Sequence, residues 1–497
     1  PCRKLLQRNY PANGSCKSMS NIVRDRFFNG RWTAAHGSVL EVFNPAHPDR
    51  VVSRYTTSSP ADVDETLQAA SEAFRTWRCV PVFERYTALT NFAAAIEAAL
   101  PDIAQAITLE QGKPLAEARA EAGKALQEAR FAFTQCLQPS GAAPMGARPG
   151  FRDLVIRRPR GVIAAVTPWN FPILTPMRKI APALAWGNCI VIKPSEFTPG
   201  AVALIADAAA QTLPAGVLQV VNGAAETARS LVGSPRVQGV TFTGSIATGR
   251  QVYVAVAESL AELSLELGGK NAAVVHDCDD IDAVASAIMG AAMQCAGQRC
   301  TAISRVIVHE SLRTPLVNAL VQIAEAAVLG DGMLPGMTMG PLTTAAQLDK
   351  VEQMVAEGLQ AGALLRTGGC RMQPDNAREG RFYAPTILDA VPPSSSVARE
   401  EIFGPVLSVL GYDSLEQAIR LVNDVPHGLT SSFFSNDYRA VRNFMEQAQT
   451  GMLHVNHGTV PDSHMPFGGI GQSGVGAYSV GASAQAFYTT EHVVYLP

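Results

Sequence analysis

No Cys-x-x-Cys pair occurs in this 497-residue chain, although it holds nine cysteines. Disulfide scaffolds are short and cysteine-dense, so nine in this length do not make one. Cys295 and Cys300 have no histidine or further cysteine nearby, which leaves no metal site built on them. The chain also lacks a basic surplus. A net charge of −3 gives no field for nucleic acid or anionic lipid. No uninterrupted apolar run approaches the roughly 20 residues that span a bilayer. Charged residues are scarce at 17%, against 47% hydrophobic, so much surface is expected to be buried, some of it between subunits. These absences predict free thiols in a reducing, cytoplasmic setting, with neither nucleic acid nor membrane as partner.

A chain this long exceeds one compact core, and two or three domains are expected. Residues 1–20 read as an untidy N-terminal extension. They are basic and acid-free like a transit peptide, but Pro11, Asn13 and Gly14 interrupt any amphipathic helix. From Ser59 the pattern turns helical, with Ser59 as cap, Pro60 in the first turn, and Val63, Leu67, Ala70, Phe74 and Trp77 at helical spacing. Alanine-rich helical sequence continues to about Cys136. The rhythm then changes to short β-branched runs at 162–167, 189–193, 217–221 and 237–243, separated by helices such as 201–211 and 250–257. Strand, helix, strand at this spacing predicts a doubly wound parallel sheet. Functional residues in such sheets gather at the carboxyl ends of strands. A second α/β series runs from about Leu267 to Gly476, and residues 486–495 read as a strand. Two lobes with a cleft between them are expected.

Cys300, in Gly297-Gln298-Arg299-Cys300-Thr301, stands 34 positions after Glu266, in Glu266-Leu267-Gly268-Gly269-Lys270. A lone cysteine is usually a small core residue. Together, a thiol can attack a carbonyl and a carboxylate can activate the water that cuts the resulting thioester. Pro168 and Pro172 stiffen the backbone around Asn170, whose amide is then a preorganised oxyanion donor. The bland alternative is a stiff turn with an incidental asparagine. The run from Gly244 and Ser245 to Gly249 follows a strand and opens a helix, so its N–H groups could receive a phosphate. Lys193 and Glu196 could grip ribose hydroxyls, or simply be solvated.

In order and spacing these segments resemble the aldehyde dehydrogenase superfamily over about residues 27–495. The matching runs are Thr167-Pro168-Trp169-Asn170-Phe171-Pro172, Lys193-Pro194-Ser195-Glu196, Phe242-Thr243-Gly244-Ser245, the Glu266 and Cys300 segments above, Glu401-Ile402-Phe403-Gly404-Pro405-Val406 and Pro466-Phe467-Gly468-Gly469. The resemblance implies a dinucleotide-binding domain from residues 21–140 and 160–266 and a catalytic domain from 267–476. It adds a small β arm for oligomerisation from 141–159 and 477–497. It makes Cys300 the nucleophile, Asn170 the oxyanion donor and Glu266 the base. Thr167, Trp169, Lys193, Ser195, Glu196, Gly244, Ser245, Glu401 and Phe403 fall on its cofactor contacts. Phe171, Thr175, Arg178, Cys295, Thr301, Thr459, Pro461 and Phe467 fall on its substrate pocket. A homodimer or homotetramer is implied.

Glu196 favours NAD, because a carboxylate accepts from a free ribose 2′-hydroxyl and repels a 2′-phosphate. Lys193 beside it leaves NADP use open. Arg178 stands where succinate-semialdehyde dehydrogenases carry an arginine, which points to an ω-carboxylated semialdehyde held bidentately. Against this, the second arginine of those enzymes is here Gln294, and stretches of the C-terminal third look rather like α-ketoglutarate-semialdehyde dehydrogenases. The alternative for Arg178 is a rim charge facing water, in a broad-specificity enzyme. Ile246, Gly471 and the pair Ala477-Tyr478 also depart from the family's common residues. His454, His457 and His464 are expected to lie in a loop without a metal. Two rival readings remain. A non-catalytic protein on the same fold is disfavoured by intact Cys300, Glu266 and Asn170, and a coenzyme-A-acylating enzyme has less use for Glu266.

Overall fold

A computed structural model describes residues 24–138 and 141–497; the basic segment read as an N-terminal extension lies outside them. Ser59 caps the helix Pro60–Trp77 through the Asp62 N–H, with Asp62 answering at the Ser59 N–H. Two further helices follow, Val82–Gln111 and Leu115–Thr134. They are separated by Gly112, which adopts φ +102° and ends the first of them.

Two parallel-cored sheets form the lobes. The first runs Arg31–Thr33, Arg26–Phe28, Leu218–Val221, Cys189–Lys193, Val162–Val166, Gly239–Gly244, Glu262–Leu267, Gly474–Val475. Its five central strands are parallel. From Val162–Val166 the chain winds outward one way, then returns to place Gly239–Gly244 on the other side. Strand order therefore reverses between these two neighbours, which creates a crevice at their carboxyl ends. Their side chains are almost wholly buried because helices cover both faces. The second sheet runs Leu364–Thr367, Thr386–Asp389, Val406–Tyr412, Arg305–His309, Ala272–Val275, Thr430–Phe434, Met452–Val455, parallel except at its first pair. The chain passes from one sheet to the other through Gly268-Gly269-Lys270-Asn271, so the cleft opens where Glu266 ends its strand.

A three-stranded sheet stands apart, with Thr489–Leu496 paired antiparallel to Arg152–Pro159 and the latter to Gly141–Ala142. Two boundaries differ from the expectation. Ser245 itself caps the helix Ile246–Val256, so the helix starts four residues before Arg250. The tail begins as the helix Ala484–Tyr488, whose Phe487 and Tyr488 pack into the first lobe, and only then becomes a strand. Among the described residues one helix, Val82–Gln111, is long and apolar enough on average to cross a membrane. Its Leu89, Phe92, Ile96, Ile103 and Ile107 instead fill the core of the first lobe.

Candidate active site

The carboxyl ends of the first sheet and the loops of the second enclose one cavity of about 660 Å³, within the range of small-molecule and cofactor sites. Its wall includes Cys300, Glu266 and Asn170 together with all nine residues expected at the cofactor, from Thr167 to Phe403. At this end the crevice is furnished by strand termini. Lys193 donates to the Pro194 and Gly223 carbonyls at 2.8 and 2.6 Å and lies 3.5 Å from Glu196 Oε2. Burial lowers the Lys193 amine below its ordinary range, and Glu196 opposes that shift. The amine is committed, whereas the Glu196 side chain stays about one-third exposed. The Ile246–Val256 helix points its N-terminus at the same crevice.

Across from it, Phe403 packs edge-on against Trp169 at 5.5 Å and holds a left-handed φ of +58°. Such a conformation is costly for an aromatic residue and is characteristic of functional sites. Glu401 accepts from the Gly269 N–H at 3.3 Å, and burial pushes its carboxyl up to about 7. A Cβ on Gly268 would lie 2.1 Å from the Glu401 carboxylate, so any side chain there would displace that carboxylate.

Cys300, Asn170 and Glu266 sit between the ends. Cys300 follows a strained run in which Cys295, Ala296 and Gly297 all take left-handed φ values of +57°, +51° and +71°. The turn is pinned by Glu117, which accepts from the Cys295 N–H at 2.8 Å, and by Asn170, whose side-chain N–H donates to the Gln298 carbonyl at 2.9 Å. That leaves the second Asn170 amide proton for the cavity. The Cys300 thiol rests against Leu429, Met452, Phe467 and Val480. Burial pushes it up to about 11, with Arg178 and Arg299 pulling it back and Glu266 and Glu401 adding to the rise. Glu266 accepts from Thr243 Oγ1 at 2.8 Å and lies 3.6 Å from the Lys179 amine. Burial is the strongest single influence and would raise its carboxyl, but Lys179, Arg178 and the hydroxyls of Ser479 and Thr243 together hold it below the usual carboxylate range. Lys179 is wholly buried and anchored on Thr241 at 3.0 Å.

The substrate end corrects several expectations. Arg178 is neither a free clamp nor a rim charge. It is buried, and its Nε and Nη2 donate to the two Glu128 carboxylate oxygens at 2.7 and 2.9 Å. Its guanidinium also stacks on the Phe467 ring at 4.1 Å. Burial opposes the Arg178 charge, and Glu128 more than offsets it. Phe171, Thr175, Arg178, Thr301, Pro461 and Phe467 line the cavity, but Cys295 and Thr459 lie behind it. Cys295 directs its thiol at the Asn170 carbonyl, and Thr459 donates to the Thr301 carbonyl. His454 belongs to a strand, not a loop, and burial, with His457 beside it, depresses it to about 4. Among the described residues no cluster could hold a metal. Tyr478, one of the departures, lays its ring on Gly468, where any Cβ would meet it at 2.4 Å.

Sequence reasoning missed the face of the Leu115–Thr134 helix that walls the substrate end. Lys113 reaches Glu121 at 2.6 Å and the Asn170 carbonyl at 2.8 Å. Glu121 receives the Ile173 and Leu174 N–H groups, and Lys124 holds the Pro461 carbonyl at 2.6 Å. A spacing signal was present: Lys113, Glu117, Glu121, Lys124 and Glu128 recur at helical intervals beside the buried alanines 118, 122, 125 and 129.

Fold and site together define the class: the chain belongs to the aldehyde dehydrogenase family, whose model matches residues 32–494. Among particular relatives, it is 33% identical over 474 residues to the alpha-ketoglutaric semialdehyde dehydrogenase of Bacillus subtilis (strain 168), covering 95% of this chain and 97% of that one. It is 35% identical over 464 residues to the NADP(+) succinate-semialdehyde dehydrogenase of Escherichia coli (strain K12), covering 92% and 95%. The solved NAD-dependent aldehyde dehydrogenase of Sinorhizobium meliloti superposes with a TM-score of 0.93 at 31% identity, covering 97% of this chain and 95% of that one.

Proposed function

We propose that this aldehyde dehydrogenase oxidises an ω-carboxylated semialdehyde to the dicarboxylic acid, with NAD preferred to NADP and with water, not coenzyme A, as the acyl acceptor. The observation that carries the reading is the convergence of thiol, carboxylate and amide on one cavity whose far end offers a ribose-type carboxylate and a helix N-terminus. Cys300 loses its proton to solvent water and its sulfur adds to the aldehyde carbon as the carbonyl π bond opens, while the free Asn170 N–H donates to the oxygen that takes up the charge. A thiol held near 11 is mostly protonated at neutral pH, so this step depends on the cations around it. A dinucleotide supplies the hydride acceptor when bound, which leaves the acyl group as a thioester on Cys300. Glu266 then takes a proton from water as the water oxygen attacks the acyl carbon and the C–S bond breaks. Lys179 keeps Glu266 ionised and ready for that proton.

The ribose hydroxyls fall to Glu196 and Glu401, and the pyrophosphate to the helix capped by Ser245. The committed Lys193 has two backbone carbonyls and a carboxylate to lose before it could meet a 2′-phosphate, which supports NAD. The semialdehyde reading is supported by the cationic groups at the substrate end and by the names of the two relatives above. The outer sheet carries exposed Val493 and Tyr495, which support a subunit contact there. The test is an aldehyde panel read by NADH absorbance without coenzyme A. Carboxylated semialdehydes are expected to exceed uncharged aldehydes of equal length in kcat/KM. Equal values, or a requirement for coenzyme A, would overturn the reading.

A further inference from the structure

Four cations surround the substrate end, and three of them have a carboxylate partner. Lys113 pairs with Glu121 at 2.6 Å, Arg178 pairs bidentately with Glu128, and Lys124 lies 3.8 Å from the same Glu128. Arg299 is different. It is only 7% exposed, it lines the cavity next to Cys300, and among the described residues it makes no ion pair. Its hydrogen bonds all go to neutral acceptors: Gln294 Oε1, Thr301 Oγ1 at 3.2 Å and the Thr459 carbonyl at 3.3 Å. Its Nε is buried with no partner. The nearest carboxylate on the helix wall, Glu117, is spent on the Cys295 N–H and shares its charge between Lys113 and Arg299.

A buried guanidinium without an anion is unfavourable unless an anion comes to it. We infer that Arg299, and not Arg178, is the specificity-determining cation that receives the substrate's distal carboxylate. The inference rests on the semialdehyde reading above. Gln294 and Thr301 complete the set: each accepts from the guanidinium and so fixes its plane, and the Gln294 amide N–H2 remains a further donor on the cavity wall. Arg178 cannot serve in the same way, because its two parallel donors already hold Glu128. Arg299 also helps to lower the Cys300 thiol for every aldehyde, so charge recognition is read in the ratio of charged to uncharged substrates, where that shared effect cancels.

The test compares succinate semialdehyde with butanal in wild type, Arg299→Gln and Arg299→Lys, with succinate as a competitive inhibitor in parallel. The charged-to-uncharged ratio of kcat/KM is expected to fall about 10–100-fold in Arg299→Gln, the worth of a charge-assisted hydrogen bond, mostly through KM. Succinate should weaken as an inhibitor in step. Arg299→Lys should recover part of the ratio, and it carries the test if the glutamine variant folds poorly. A ratio and an inhibition constant unchanged in both variants would overturn the assignment while leaving the semialdehyde reading intact. A wild-type ratio near one would sink the reading itself, and the assignment with it.

Discussion

The two ends of the cleft are built on opposite plans. At the end expected to hold the cofactor, the groups of the first lobe sit on strand termini at the reversal point of a parallel sheet, set out by short runs of chain. Lys193 to Glu196 occupy four consecutive positions, and Ser245 caps the helix that begins beside it. At the other end the wall is a helix, Leu115–Thr134, whose carboxylates also meet groups far away in sequence. Glu128 meets Arg178, Glu121 meets the 173–174 backbone and Glu117 meets Cys295. Local chain geometry places the first set of groups, and tertiary pairing places the second. The cofactor end should therefore tolerate loss of one partner with a change in preference, whereas the substrate end should lose stability.

The sharpest way to break that contrast is to remove one member of the Arg178–Glu128 pair. Glu128→Ala leaves a buried guanidinium without its anion and should cost about 3–5 kcal/mol of stability, read as a fall in thermal midpoint at fixed concentration. The double change Arg178→Met with Glu128→Leu should recover most of it, since well-packed apolar replacements of buried pairs are commonly neutral or better. If Glu128→Ala melts with the parent, the pair is not the structural lock described here. A smaller effect is expected at the other end. Glu196→Gln removes a carboxylate that is about one-third exposed and should leave the melting point in place. The kcat/KM preference for NAD over NADP should drop about tenfold, the equivalent of ~1.4 kcal/mol. An unchanged preference would mean that Glu196 does not read the ribose.

This contrast also explains what was legible in the sequence. The doubly wound sheet followed from β-branched runs separated by helical spacing. Cys300, Glu266, Asn170 and the nine residues expected at the cofactor could be named because their motifs are contiguous, and all of them line the same cavity. The sequence left open what Arg178 does, since its meaning depends on a carboxylate 50 residues away on an alanine-rich helix. Charges at such spacing read as a solvated face. Only packing shows that this face turns inward. Arg299 stands in the cysteine motif without a signal of its own, because an arginine that lacks a partner cannot be recognised until every carboxylate around it has been placed. Cys295 was expected on the pocket wall, yet the left-handed turn at 295–297 swings it behind Asn170.

The central claim is a division of labour in which Cys300 forms the acyl bond and Glu266 serves only its hydrolysis. Pre-steady-state NADH formation by Glu266→Gln tests it most directly. The account predicts a burst of one NADH per active site, followed by turnover slowed roughly 10²–10⁴-fold, with the acyl group trapped on Cys300 and visible as a mass increase of the protein. A variant that turns over at the parent rate, or one that shows no burst and no acylated cysteine, would contradict it.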